Sequence, residues 1–163
     1  MGSDSDLPIV EKTIAVLGDF KVPFEVHVYS AHRTPDKVRN FTLHAEEKGF
    51  GVIICAAGKA AHLAGVAASL TTLPVIGLPI KSDTLDGLDS LLSTVQMPTG
   101  IPVATVAING AKNAALLALQ IIALEDESVR QKLKDLRQQD REKAIEKDAA
   151  MEEKYSMEAG FNE

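Results

Sequence analysis

Gly51-Val52-Ile53-Ile54-Cys55-Ala56-Ala57-Gly58-Lys59-Ala60-Ala61-His62-Leu63-Ala64-Gly65 decides how the rest of the chain is read. Val52 to Ala56 is apolar without interruption, the pattern of a strand buried on both faces. The run passes directly into side chains so small that backbone can approach a ligand closely. A buried strand that ends in a tight loop and restarts as a helix, here over 60–70, is the core of a parallel β–α–β unit.

The pattern repeats on both sides. Leu7, Val10, Ile14 and Leu17 share one helical face, Pro8 suits the first turn and Gly18 ends the helix. Phe24 to Tyr29 alternates with β-branched and aromatic residues and reads as a strand. The polar loop Ser30 to Pro35 follows, then a helix to about Lys48 with Thr34 as its N-cap and Gly49 as its stop. Downstream, strands are expected over 74–78 and 103–108, with helices over 84–94 and 112–124. Short, nearly continuously apolar strands separated by helices predict an α/β fold with a doubly wound parallel sheet.

Residues 1–124 therefore read as one domain and 125–163 as a helical extension. From Glu125 to about Met157 the chain is charged, with apolar positions only at Val129, Leu133, Leu136, Ile145 and Met151. So thin a stripe suggests a projecting helix that docks on another subunit; the plain alternative is a solvated tail. At the other end, doubly wound folds bring a first strand to a loop such as Gly2-Ser3-Asp4-Ser5-Asp6, yet only Met1 stands before it. Unpaired backbone on both neighbours would be costly, so a first strand is expected ahead of residue 1.

The 163 residues are 45% hydrophobic with a formal charge of -6. Without a basic cluster to displace counterions, nucleic acid is an unsuitable partner. No apolar run approaches the roughly 20 residues that span a bilayer, and the acidic, polar start is unlike a signal peptide. A soluble, cytoplasmic protein with no membrane partner is expected. Cys55, the single cysteine, reads as a buried strand residue suited to a reducing compartment.

Chemistry is expected in the loops after the strands. His32 and Arg33 follow the 24–29 strand, where a guanidinium can hold a phosphate and an imidazole can move a proton near neutral pH. The alternative is a backbone-capping His32 with Arg33 paired to Asp36. Gly2 to Asp6 lets backbone N–H groups and a helix N-terminus approach an anion, although Asp4 and Asp6 repel phosphate, so at least one of them is expected to cap or to bind hydroxyls. The 56–65 stretch favours a snug pocket with a second helix N-terminus; Lys59 adds charge there, and His62 either lines the pocket or caps a loop. His27 and His44 read as structural. Lys81 to Asp83 and Gln96 to Gly100 suit a lid or a subunit contact, and Asn109 and Asn113 suit a ligand contact and a helix cap.

Taken together, Met1-Gly2-Ser3-Asp4-Ser5-Asp6, Ser30-Ala31-His32-Arg33-Thr34-Pro35, Ala60-Ala61-His62-Leu63, Leu73-Pro74-Val75-Ile76-Gly77, Gly87-Leu88-Asp89-Ser90-Leu91-Leu92-Ser93 and Gln96-Met97-Pro98 resemble the bacterial N5-carboxyaminoimidazole ribonucleotide mutases of purine biosynthesis. The resemblance runs in order from Met1 to about Leu124. It implies a flavodoxin-like, three-layer αβα domain and a homo-octamer whose C-terminal helices reach neighbours. It implies an isomerase without cofactor or metal, fed by the ATP-dependent synthetase that makes its ribonucleotide substrate. Carboxylate would move from the exocyclic nitrogen to ring carbon C4. By the same resemblance His32 is catalytic, while Ser3, Asp6, Ser30, Arg33, Gly58 and His62 contact substrate.

Lys59 and Ala64 depart from the glycine and proline usual in these mutases, which bears on carbon dioxide handling. Direct carboxylation of aminoimidazole ribonucleotide is therefore the enzymatic alternative. A flavodoxin-like binding or signalling module is the non-enzymatic one, disfavoured by the absence of tryptophan and of an aspartate at the end of the 52–56 strand.

Overall fold

Three parallel strands, β1 (Ile53–Gly58), β2 (Val75–Ile80) and β3 (Ala104–Thr105), are ordered β1-β2-β3 in the computed structural model, which describes residues 1–155. β1 and β2 pair along their whole length, from Ile53 opposite Val75 to Gly58 opposite Ile80. Every residue of β2 is buried, as its unbroken apolar run requires. Alternation divides the core in two. Ile53, Cys55 and Val75 face α2 (Pro35–Leu43) and α3 (Leu63–Ala68), whereas Ala56, Ile76 and Leu78 face α1 (Leu7–Asp19) and α5 (Ala111–Ile122). Gly77 is required where α4 (Leu88–Val95) crosses β2: a Cβ there would enter the side chain of Thr94.

Helices thus cover both faces of a parallel sheet, the doubly wound α/β arrangement expected. The last helix, α6 (Glu127–Tyr155), divides into two parts. Val129 is buried, and Leu133 and Leu136 pack with it against Leu17, Phe20 and Leu119, so the first three turns dock on their own domain. From Arg137 to Tyr155 every residue is exposed. The projecting helix is therefore correct, but its apolar stripe is partly spent within the protomer; Met157 lies outside the described residues.

The structure corrects several boundaries. No ladder forms over 24–29, because that segment has only Met1 beside it: the Tyr29 amide donates to the Met1 carbonyl at 2.9 Å. α2 ends at Leu43 and gives way to turns before Gly49. Thr34 sits at the N-cap of α2 without capping it; its hydroxyl accepts from the Ser30 amide at 2.9 Å and donates to the Ser30 carbonyl. α3 is only six residues long, too short to offer the second anion-binding N-terminus expected there. The expected 84–94 helix is a 3-10 turn, Leu85–Gly87, joined to α4 across a left-handed Asp86. The expected 103–108 strand shrinks to two residues, and α5 begins at Ala111 without a side-chain cap, so Asn113 lies within the helix and caps nothing.

Candidate active site

The loops that follow the 24–29 segment, β1 and β2, together with Gly2 to Asp6, meet at the carboxyl edge of the sheet, where an open α/β fold presents its ligand crevice. Two rings separated by 30 residues touch there: His32 Nε2 lies 2.8 Å from His62 Nδ1, with the rings edge to face. Each is exposed. One of these nitrogens carries the proton and the other accepts it, so both rings cannot be fully protonated and keep the bond.

Ser30 builds the loop that holds His32. Its hydroxyl accepts from the His32 amide at 3.3 Å and from the Arg33 amide at 3.1 Å, turning the backbone so that both side chains leave on the site side. Arg33 does not pair with Asp36; its Nη2 donates to the Gly2 carbonyl at 3.4 Å. A guanidinium is thereby tied to the loop of Ser3 and Asp6, leaving other N–H groups for an anion.

That loop is largely closed on itself. Ser3 and Asp6 form a capping box around the turn Asp4–Asp6: the Ser3 amide donates to Asp6 Oδ2 at 3.1 Å, while the Ser3 hydroxyl accepts from the Ser5 amide at 3.3 Å. The Gly2 amide donates to the Ala56 carbonyl and the Asp6 amide to the Ser3 carbonyl. The Gly2, Ser3, Ser5 and Asp6 amides of the expected cradle are therefore engaged within the chain, as are the Ser3 and Ser5 hydroxyls, which donate to Asp4 Oδ1 and to Ser3 Oγ, and Arg33 is the cation beside them. Burial raises the Asp6 carboxyl above its ordinary value, against the opposing pull of the Ser3 amide and the Met1 ammonium. The expected capping role of one aspartate is thus filled by Asp6.

Gly58 ends β1 with its Cα facing the Ile80 carbonyl, 3.3 Å from where a Cβ would stand. Lys59 then takes a left-handed φ of 56°, a conformation that favours glycine. His62 is the residue before α3, placed to face His32. Asn109, also left-handed, accepts from the Lys81 amide at 2.9 Å through Oδ1 and so braces the neighbouring loop. The Lys81 ammonium is paired with Asp86 at 2.9 Å, which raises its pKa.

His27 stacks on Tyr29 and contacts Glu25, and His44 Nδ1 lies 2.8 Å from the Asn40 carbonyl, so both are structural as expected. Cys55 is buried, and burial pushes its thiol up to about 11. Ser3, Asp6, Ser30, Arg33, Gly58, His32 and His62 are thus brought to one edge of the sheet. Nothing in the sequence announced the contact between His32 and His62; only two loops sharing one edge hinted at it. Among the described residues no group of three or more His, Cys, Asp or Glu is arranged to hold a metal ion, and no helix is long and apolar enough to cross a membrane.

Comparison with known proteins gives a consistent picture. The profile of the AIR carboxylase family matches residues 1–143. The chain is similar to a Pyrococcus abyssi protein named N5-carboxyaminoimidazole ribonucleotide mutase, with 59% identity over 138 residues, 85% of this chain and 79% of that one. It is also 50% identical over 152 residues to a Saccharomyces cerevisiae protein named phosphoribosylaminoimidazole carboxylase, covering 93% of this chain but 27% of the yeast protein. The crystal structure of Treponema denticola PurE superposes with a TM-score of 0.82 at 30% identity, over 96% of each chain.

Proposed function

The chain belongs to the AIR carboxylase family, and from that premise we propose how its site works as an N5-carboxyaminoimidazole ribonucleotide mutase of purine biosynthesis. The reaction is an isomerisation. The exocyclic C–N bond of the carbamate breaks, carbon dioxide departs, and the nitrogen takes a proton. Ring carbon C4 then bonds to the carbon dioxide and loses its own proton, giving 4-carboxy-5-aminoimidazole ribonucleotide. Atoms and charge balance without an oxidant or a reductant.

The observation that carries this reading is the 2.8 Å contact between His32 and His62 at the sheet edge. His32 serves as acid toward the departing nitrogen and then as base toward C4, one imidazole returning to its starting state over the cycle. His62 shares a proton with it and lines the substrate space beside Gly58. Arg33, Ser3 and Asp6 hold the ribose phosphate end, Arg33 by charge and the loop by hydroxyl contacts. Ser30 sets the geometry of the His32 loop through its two backbone bonds. His32→Asn is expected to fold normally and to lose turnover by roughly 10² to 10⁴. Near-normal turnover in that variant would refute the assignment.

Both imidazoles are exposed in the single protomer, whereas carbon dioxide must be confined to be recaptured. The homo-octameric reading answers this by letting a neighbour close the site. In its support, Leu85, Leu88, Leu92 and Val95 leave an apolar face of the α4 region exposed by 66%, 48%, 47% and 47%. Native mass spectrometry should find eight chains, and a stable monomer at micromolar concentration overturns this. The cytoplasmic setting and the ATP-dependent synthetase that supplies the substrate follow from the same reading. The yeast relative's name favours weighing direct carboxylation. Faster turnover of aminoimidazole ribonucleotide with bicarbonate than of N5-carboxyaminoimidazole ribonucleotide would select it.

A further inference from the structure

His62 stands at the head of α3, a helix that cannot hold itself in place. It is six residues long, well under the roughly 12 residues that an isolated helix needs to persist in water, so its position is set by what packs on it. Toward the sheet, Leu63, Ala64 and Ala67 are buried. Ala64 and the Thr94 side chain both cover the bare Cα of Gly77, so α3 and the end of α4 share one seat on β2.

A second grip comes from the turn that follows α4. The Met97 amide donates to the Val95 carbonyl at 3.0 Å, which doubles the chain back, and the half-buried Met97 side chain comes to lie on Gly65 of α3. A Cβ at residue 65 would stand 2.8 Å from Met97 Sδ and 3.2 Å from its Cε. Glycine inside a helix is less favourable than alanine, so the shortest helix gives up propensity at the very residue where a methyl group would displace the thioether. Residues three apart share a helix face, and Gly65 lies three beyond His62, whose carbonyl accepts from the Val66 amide at 3.0 Å. Met97 is thereby seated beside the root of the His62 side chain. Among the described residues the His62 ring has no hydrogen bond except the 2.8 Å contact with His32, so its position depends on that bond and on the backbone that carries it.

We propose that Met97 is a positioning residue for the reaction: seated on Gly65, it pins the first turn of α3 and so keeps the His62 ring against His32. The role rests on the paired-imidazole reading of the site given above. It brings the turn after α4 into the working of the site without placing it on the reacting atoms. An unbranched thioether suits the task, since it fills the irregular space over a bare Cα that a branched or polar side chain would fit poorly.

Met97→Ala is expected to lower kcat about tenfold or more while KM changes less than about twofold, because a displaced imidazole loses proton transfer before it loses binding. Met97→Leu, of similar volume, should return kcat to within about threefold of the parent chain. A crystal structure of Met97→Ala should show the His32 and His62 nitrogens parted beyond hydrogen-bond distance. Gly65→Ala reaches the same contact from the other side. Alanine is the better helix former, so a fall in turnover at an undiminished thermal midpoint comes from the displaced thioether and not from unfolding. The double variant should lose little more than either single one, since both remove one contact. Parent-like turnover in Met97→Ala and Gly65→Ala overturns the proposal. So does lost turnover with the 2.8 Å contact intact, or losses that multiply in the double variant. High activity in His32→Asn would instead strike the paired-imidazole reading, and the ring separation in Met97→Ala would still decide whether Met97 holds His62.

Discussion

β1 has two flanks, and they differ. Toward β2 it is paired in register over all six residues, and the neighbouring side chains are buried. Toward the 24–29 segment it has one backbone partner, the Gly2 amide, and an apolar gap below. Yet the site loops grow from both flanks: Gly58 to His62 continues β1 itself, while Gly2 to Asp6 and Ser30 to Arg33 stand over the open side. Chemistry at a sheet edge needs only that the loops meet, whereas stability needs the layer beneath to be filled. The two demands fall on different residues here, and they can be separated by experiment.

The sharpest separation is His32→Asn, whose expected loss of turnover by roughly 10² to 10⁴ should come with no change in the unfolding midpoint. A large drop in midpoint would mean that the edge and the layer are not distinct. Next come two isoleucines that face the same α1 and α5 layer from different strands. Ile76, fully buried on the paired side, should cost about 2–5 kcal/mol on truncation to Ala in denaturant unfolding. Ile54, half-buried beside the gap, should cost about 1 kcal/mol, because part of its surface meets no protein atom. Equal costs would erase the difference between the flanks.

The smallest effect concerns Asp6, whose carboxyl is raised above 3.8 chiefly by burial. The folded chain then holds that proton more tightly than the unfolded chain. Its contribution to stability is complete below the unfolded value and falls as pH climbs through the raised folded value. Asp6→Asn keeps an acceptor for the Ser3 amide and removes that loss. Its midpoint relative to the parent chain should improve between about pH 3 and pH 7, and a parallel pair of curves would contradict the burial argument.

Much of this was legible in the order of residues. The unbroken apolar runs at 52–56 and 74–78, the helical spacing of Leu7, Val10, Ile14 and Leu17, and the small residues after each strand determined an α/β layer with loops on one edge. They did so because burial on two faces and a 3.6-residue period leave marks that each local segment carries alone. Motif resemblance assembled the site residues from Ser3 to His62.

What only tertiary structure decided depends on groups remote in the chain. The 24–29 segment has the composition of a strand, but a strand exists only with a hydrogen-bonded neighbour, and Met1 and Gly2 supply just the last rungs. The turn at Ser3 and Asp6 consumes the amides that composition had offered to phosphate. Val129, Leu133 and Leu136 dock on their own domain because α5 happens to present Leu119 to them, while the same sparse stripe beyond Arg137 meets nothing. The nitrogen of His32 faces that of His62 because two loops end at one edge, a coincidence in space that no local pattern encodes.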